Sequence, residues 1–237
     1  MRLFCVPYAG GSARIFDDWQ ADLPEQIRVH PLELPGRGGR YREAPATDLP
    51  ALADELTETV LAQAEEPVAL LGYSFGAFLA FEVALRLEQR HGRTVRHLVT
   101  VSARGAMRPP KLPPGSEQDE AQFRARLYGM GGTPQAVLAS EELMELLLPV
   151  LRADFGMSDH YSYRPGPVLR CPITAFGGSG DTAVSWPSVL AWRECTIGPF
   201  VAHQLPGDHF FPRTARARFL DVISTALRAH RTPEGQR

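Results

Sequence analysis

The stretch VALLGYSFGAFLA at residues 68–80 constrains the fold of this chain more than any other. Val68, Ala69, Leu70 and Leu71 form a short apolar run closed by Gly72, the pattern of a buried strand. The apolar residues at 77–87 recur as in a buried helix. Ser74 falls on the turn between them. Gly72-Tyr73-Ser74-Phe75-Gly76 has the G-x-S-x-G form of a nucleophile elbow, a turn so tight that a Cβ at either glycine would meet backbone. Such a turn exposes the serine hydroxyl at a helix N-terminus, where the Phe75 amide can face an oxyanion. A motif with three fixed positions also arises by accident, so the strand before it and the helix after it carry the argument.

The rest of the chain repeats the same grammar. Residues 3–6 are an apolar strand emptying into Pro7-Tyr8-Ala9-Gly10-Gly11-Ser12, a Gly-rich loop that exposes backbone amides. Phe16, Trp19 and Leu23 space like one helical face, and residues 27–34 read as a second strand. Asp48 before Leu49-Pro50 caps a helix whose Leu52, Leu56 and Val60 share a face. After the elbow helix, His91-Gly92 makes the stop, and residues 97–102 form the next strand. Strand alternating with helix predicts a parallel sheet with helices on its faces.

That rhythm breaks at Pro109, Pro110, Pro113 and Pro114. Three helical patterns follow without a strand, at 117–128, 134–139 and 141–155, the last with Ser140 as its N-cap and a stripe through Leu143, Leu147, Val150 and Phe155. We expect residues 106–167 to be a helical insertion capping the active edge of a core made of residues 1–105 and 168–237. Strands at 173–176 and 200–205 and an amphipathic helix carrying Phe219, Ile223 and Leu227 complete that core. The tail at 231–237 is polar and expected to fray.

With 237 residues, 44% hydrophobic and 22% charged, the chain suits one soluble domain with an insertion. A net charge of −2 offers no electrostatic reason for nucleic-acid or membrane binding, and no stretch approaches a membrane span. Cys5, Cys171 and Cys195 lack metal or disulfide spacing and read as buried residues of a reducing compartment, so a cytoplasmic protein is expected, monomeric by default.

In open parallel sheets, reactive residues gather where strands end. Ser74, Asp181 and His209 each follow a separate strand, in the chain order expected when an elbow serine is the nucleophile. A serine hydroxyl needs a base to take its proton, the role of His209, and a carboxylate to hold the imidazole tautomer, the role of Asp181. Asp208 is the rival acid, although an adjacent side chain usually points away. His203, inside a strand, reads as structural. An oxyanion hole would take the amide of Phe75 and one from the first loop, with Ala9 the leading candidate, and the chemistry requires neither metal nor organic cofactor.

PYAGGSARIFDDW, LELPGRGGR, LLGYSFGA, LLPVLRADF, FGGSGD and LPGDHFF, spread over nearly the whole chain, together resemble the type II thioesterases that accompany polyketide synthases and nonribosomal peptide synthetases. The resemblance implies an α/β-hydrolase fold with a helical lid. It implies a Ser74–His209–Asp181 triad with Ala9 and Phe75 as oxyanion donors. Its substrates would be aberrant or stalled acyl groups on the phosphopantetheine arm of acyl or peptidyl carrier domains. Tyr73 and Phe75 depart from the His and Met common in the family, and the chain is short for it. Arg37, Arg40, Arg42, Arg104, Arg108 and Lys111 are either a solvated basic rim or contacts to the arm's phosphate or an acidic carrier surface. Two other readings stay open: a carboxylesterase acting on free small esters, and a hydrolase fold reduced to binding.

Overall fold

The computed structural model describes residues 1–64, 68–110, 114, 117–163 and 166–229. Pro113, Lys111 and the tail at 231–237 therefore lie outside the described residues. The strands are β1 (Arg2–Val6), β2 (Arg28–Pro31), β3 (Val68–Tyr73), β4 (Val95–Val101), β5 (Ile173–Gly178) and β6 (Phe200–Leu205). The helices are α1 (Leu49–Gln63), α2 (Phe75–Gln89), α3 (Glu120–Met130), α4 (Gln135–Leu138), α5 (Glu141–His160), α6 (Trp186–Leu190) and α7 (Arg216–Ala229). The strands form one sheet in the order β2-β1-β3-β4-β5-β6, and every neighbouring pair is parallel. This is the α/β-hydrolase type of architecture.

Alternate residues of each central strand feed opposite layers, because successive side chains leave a strand on opposite faces. Phe4, Val6, Leu70 and Leu98 pack under α1 and α2 with Leu52, Leu56, Phe78 and Phe81. Leu3, Cys5, Ala69, Leu71, Val99 and Val101 pack on the other face with Phe16, Trp19, Phe219 and Ile223. Burial on both faces explains why residues 68–71 carry no polar alternation. The strand order reverses direction between β1 and β3, so the loops leaving these two strands diverge and open a crevice at their carboxyl ends.

Several elements differ from the sequence pattern, among them the short helix α6, which it did not foresee. The second strand runs only from Arg28 to Pro31, as an edge strand with β1 as its neighbour, and the Leu32 amide donates the last bond to Cys5 O at 2.9 Å before the chain turns away. The segment with Phe16 and Trp19 is a 3-10 helix, Ala13–Asp22, whose three-residue turn places these two buried rings on one side. Elsewhere the caps fall as expected: Asp48 accepts from the Ala51 amide at 2.9 Å and Ser140 from the Leu143 amide at 3.3 Å.

Between β4 and β5, helices α3, α4 and α5 share a cluster of their own: Phe123, Leu127, Leu138, Met144, Leu151 and Phe155. Helix α5 runs one turn beyond the stripe read from the sequence, to His160. Among the described residues, no helix is long and apolar enough to cross a membrane.

Candidate active site

The elbow joins β3 to α2 through a single residue. Ser74 sits at φ +53° and ψ −114°, a conformation that costs a non-glycine residue about 1–3 kcal/mol. Its neighbours hold it there: the Ser74 amide donates to Val101 O at 2.7 Å, and Ser74 O accepts from the Ala77 amide at 2.9 Å. The glycines clear two different approaches. A Cβ on Gly72 would lie 2.2 Å from Gly76 O, where strand and helix touch, whereas one on Gly76 would lie 2.4 Å from Val6 O at the end of β1.

Two further loops converge on the serine. His209, in the loop after β6, brings Nε2 to 3.0 Å from Ser74 Oγ and Nδ1 to 2.8 Å from Oδ2 of Asp181, which follows β5. The other carboxylate oxygen of Asp181 accepts from the amides of Ala183 and Val184 at 2.8 and 3.0 Å. Burial by itself would raise the Asp181 carboxyl, but the His209 hydrogen bond and charge, with the two amides, hold it below the ordinary carboxylate range. Asp208 is turned to a different task, accepting from the Phe210 amide at 2.8 Å. His203 stacks on Phe176, with ring centroids 5.3 Å apart.

Phe75 is the first residue of α2, so its amide has no acceptor within the helix. Ala9 lies on the turn leaving β1 and lines a small pocket with Ser74 and His209. The arrangement can hand a proton from a hydroxyl to an imidazole braced by a carboxylate.

A family model described as thioesterase domain matches residues 1–227. The chain belongs to the thioesterase domain family. The gramicidin S biosynthesis protein GrsT of Aneurinibacillus migulanus is 38% identical over 239 residues, covering 99% of this chain and 91% of that protein. The type II thioesterase BorB from the borrelidin biosynthetic cluster is 36% identical with a TM-score of 0.87, covering 95% of this chain and 92% of that one. YbtT, a type II thioesterase from the yersiniabactin NRPS/PKS pathway, is 31% identical with a TM-score of 0.88, covering 98% and 94%.

In this thioesterase a cleft of about 740 Å³ opens beside Ser74 and His209, with Phe78, Arg104, Arg126 and Val184 among its walls. On the Ala9 side lies a far smaller pocket, about 20 Å³, walled by Leu127, Met130, Leu151, Phe155 and Phe210. The arginines read from the sequence as one group have separate fates. Arg37 is 6% exposed and paired with Asp154, which removes it from any surface rim. Arg40 is engaged by Glu43 and Glu55. Arg104 lies 4.7 Å over the Phe78 ring and donates to Tyr161 O at 2.6 Å, while Arg108 meets Glu194 at 2.9 Å.

Sequence reasoning missed two supports of the thioesterase's site. The backbone carbonyl of His209 accepts from Tyr73 Oη at 2.9 Å and from Ser102 Oγ at 2.8 Å. Ser102 is fully buried at φ +49°, its amide bonded to Phe176 O at 2.8 Å. A serine directly after a strand that neighbours the elbow was the available signal. Asp154 as the buried partner of Arg37 was also missed: the stretch LLPVLRADF contains it, but nothing local to it points to an arginine 117 positions away.

Proposed function

We propose that this thioesterase hydrolyses acyl groups carried on the phosphopantetheine arm of acyl or peptidyl carrier domains, clearing stalled or aberrant units during polyketide or nonribosomal peptide biosynthesis. The observation that carries the reading is the unbroken relay from Ser74 through His209 to Asp181, at 3.0 and 2.8 Å, opening onto a cleft of about 740 Å³. The named relatives from peptide and polyketide clusters supply the substrate class.

In the acylation step, His209 Nε2 takes the Ser74 proton as Oγ attacks the thioester carbonyl. The carbonyl oxygen becomes an oxyanion held by the amides of Ala9 and Phe75. Asp181 steadies the imidazolium throughout and is not itself protonated. The tetrahedral species collapses by breaking the carbon–sulfur bond, and the arm leaves as a thiol with the proton from His209. Water, deprotonated by the same imidazole, then attacks the acyl-serine, releasing a carboxylic acid and restoring Ser74. A thiolate is a far better leaving group than an alkoxide, so a thioester asks less of the acid step.

Residues 106–167 act as the lid over a core of residues 1–105 and 168–237. The support is that Leu127 and Met130 of α3 and Leu151 and Phe155 of α5 wall the small pocket at Ser74. The three cysteines are free and buried, which suits a protein of the reducing cytoplasm; a monomer is its default state. The test is turnover of acyl groups on carrier proteins against matched oxygen esters. Faster turnover of the thioesters is expected; a large preference for oxygen esters would overturn the substrate reading.

A further inference from the structure

The turn that carries Ala9 is held by a residue far along the chain. Gly11 N donates to Tyr8 O at 2.8 Å, closing a four-residue turn with Ala9 and Gly10 at its centre, and Gly10 sits at φ +76°, the value a type II turn requires at its third residue. The Gly10 amide leaves this turn toward α5 and donates to Asp154 Oδ2 at 2.7 Å. Asp154 is completely buried, and Arg37 grips its carboxylate through both terminal nitrogens, the Nη2–Oδ1 contact being 2.8 Å. Arg37 is itself anchored, its Nε and Nη2 donating to Pro35 O at 3.2 and 3.1 Å. Helix α5 also packs directly on the turn: a Cβ on Gly10 would lie 2.4 Å from Leu151 Cδ2.

We propose that Asp154, neutralised by Arg37, is the positioning residue of the oxyanion turn. The proposal rests on the reading of Ala9 as an oxyanion donor. Donors stabilise a tetrahedral oxyanion only when fixed where the charge develops, and a two-glycine loop has little stiffness of its own. The carboxylate supplies it by fixing the peptide that follows Ala9 to a buried, bidentate ion pair. Arg37 has a second duty. A bare carboxylate behind the turn would oppose the negative charge forming at Ser74, and the guanidinium cancels it. Because Asp154 belongs to α5, the same bond ties the insertion between β4 and β5 to the oxyanion turn.

The test is a set of variants assayed for hydrolysis of an acyl-carrier thioester and for phosphonylation of Ser74 by a fluorophosphonate. Asp154→Asn keeps the shape but leaves one acceptor oxygen to be shared by the Gly10 amide and Arg37, sets an NH2 group where Oδ1 accepts from Nη2, and removes the charge opposite the buried guanidinium, so the Gly10 amide loses its fixed anchor. Loss of one oxyanion donor costs about 10²–10³ in kcat, so a misplaced one is expected to cost about 10- to 100-fold, with KM within about threefold of wild type and phosphonylation slowed in parallel. The double variant Arg37→Met/Asp154→Leu removes both charges. It is expected to recover Tm, since buried pairs are replaceable by apolar groups, while kcat stays low. Should Asp154→Asn fail to fold, Asp154→Glu keeps the charge and shifts it one methylene from the Gly10 amide, with the same loss of kcat expected. A folded Asp154→Asn or Asp154→Glu enzyme with wild-type kcat, or a double variant that recovers kcat together with Tm, overturns the proposal. Failure of the wild-type enzyme on carrier thioesters would instead count against the substrate reading, and the phosphonylation arm would still judge Asp154.

Discussion

Adding one methyl group at Gly72 is the sharpest way to test whether elbow geometry controls this enzyme. The Cβ of Gly72→Ala would stand 2.2 Å from Gly76 O and 2.4 Å from Ala77 Cα, where even a tight Cβ contact needs 3.0 Å. Both obstacles are backbone, so no rotamer change relieves them, and β3 and α2 must part by about 0.8 Å, the difference between 3.0 and 2.2. Ser74 lies between those elements, and its hydroxyl moves with them relative to His209. A misplacement of about 1 Å in a reacting group costs on the order of 100-fold in rate, and overpacking costs about 1–3 kcal/mol in stability. We therefore expect Gly72→Ala to fold with a lowered Tm and to lose about 100-fold in kcat. The assay is single-turnover acylation of Ser74 by an acyl-carrier thioester beside thermal unfolding of the same preparation. A folded variant acylating within threefold of wild type would refute the reasoning, because the contact would then be relieved without moving the nucleophile.

Ser74→Ala should keep the wild-type fold and lower kcat by roughly 10⁴ to 10⁶, measured as steady-state thioester hydrolysis; a rate near wild type would place the nucleophile elsewhere. Asp181→Asn should cost on the order of 10⁴ in kcat through loss of the imidazole tautomer, while Asp208→Asn, whose carboxylate serves the Phe210 amide, should cost far less. The opposite ranking would exchange their roles. Tyr73→Phe leaves the His209 carbonyl with Ser102 as its hydroxyl donor and should lower stability by about 1 kcal/mol, with a fall in kcat below tenfold; denaturant unfolding and turnover measure both. The folded Asp181 carboxyl titrates below its unfolded value, so its contribution to stability is fully present above that unfolded value, about 3.9, and disappears as pH falls through the folded one. Acid unfolding of wild type against Asp181→Asn should show the slope from this group only in that acidic window; a slope appearing near neutrality would contradict the assignment.

Much of the geometry was legible because it is written locally. An apolar run with no alternation announces a strand covered on both faces, and residues 68–71 are covered on both. Asp48 and Ser140 sit at helix starts because their side chains satisfy amides three residues on, a relation contained within one turn of chain. Ser74, Asp181 and His209 could be picked out because all strands of a parallel sheet point the same way, so their following loops share one edge. The reading faltered where the relevant property depended on neighbours. Residues 27–34 have strand composition throughout, but β2 is an edge strand, and its pairing ends soon after Pro31. Arg37 looked like part of a basic rim, since its sequence neighbours Arg40 and Arg42 are polar and its partner lies 117 positions away.

The sequence by itself determined the alternation of strands and helices, the glycine-bracketed serine turn, and which three loops could carry a hydroxyl, a carboxylate and an imidazole. These follow from periodicity and from steric demands confined to a few consecutive residues. Only the tertiary structure decided that the His209 carbonyl rests on the hydroxyls of Tyr73 and Ser102, that Asp208 turns aside, and that Asp154 reaches back to Gly10 and Arg37. Those contacts join residues far apart in the chain, and their formation depends on how whole layers pack and which polar groups packing removes from water.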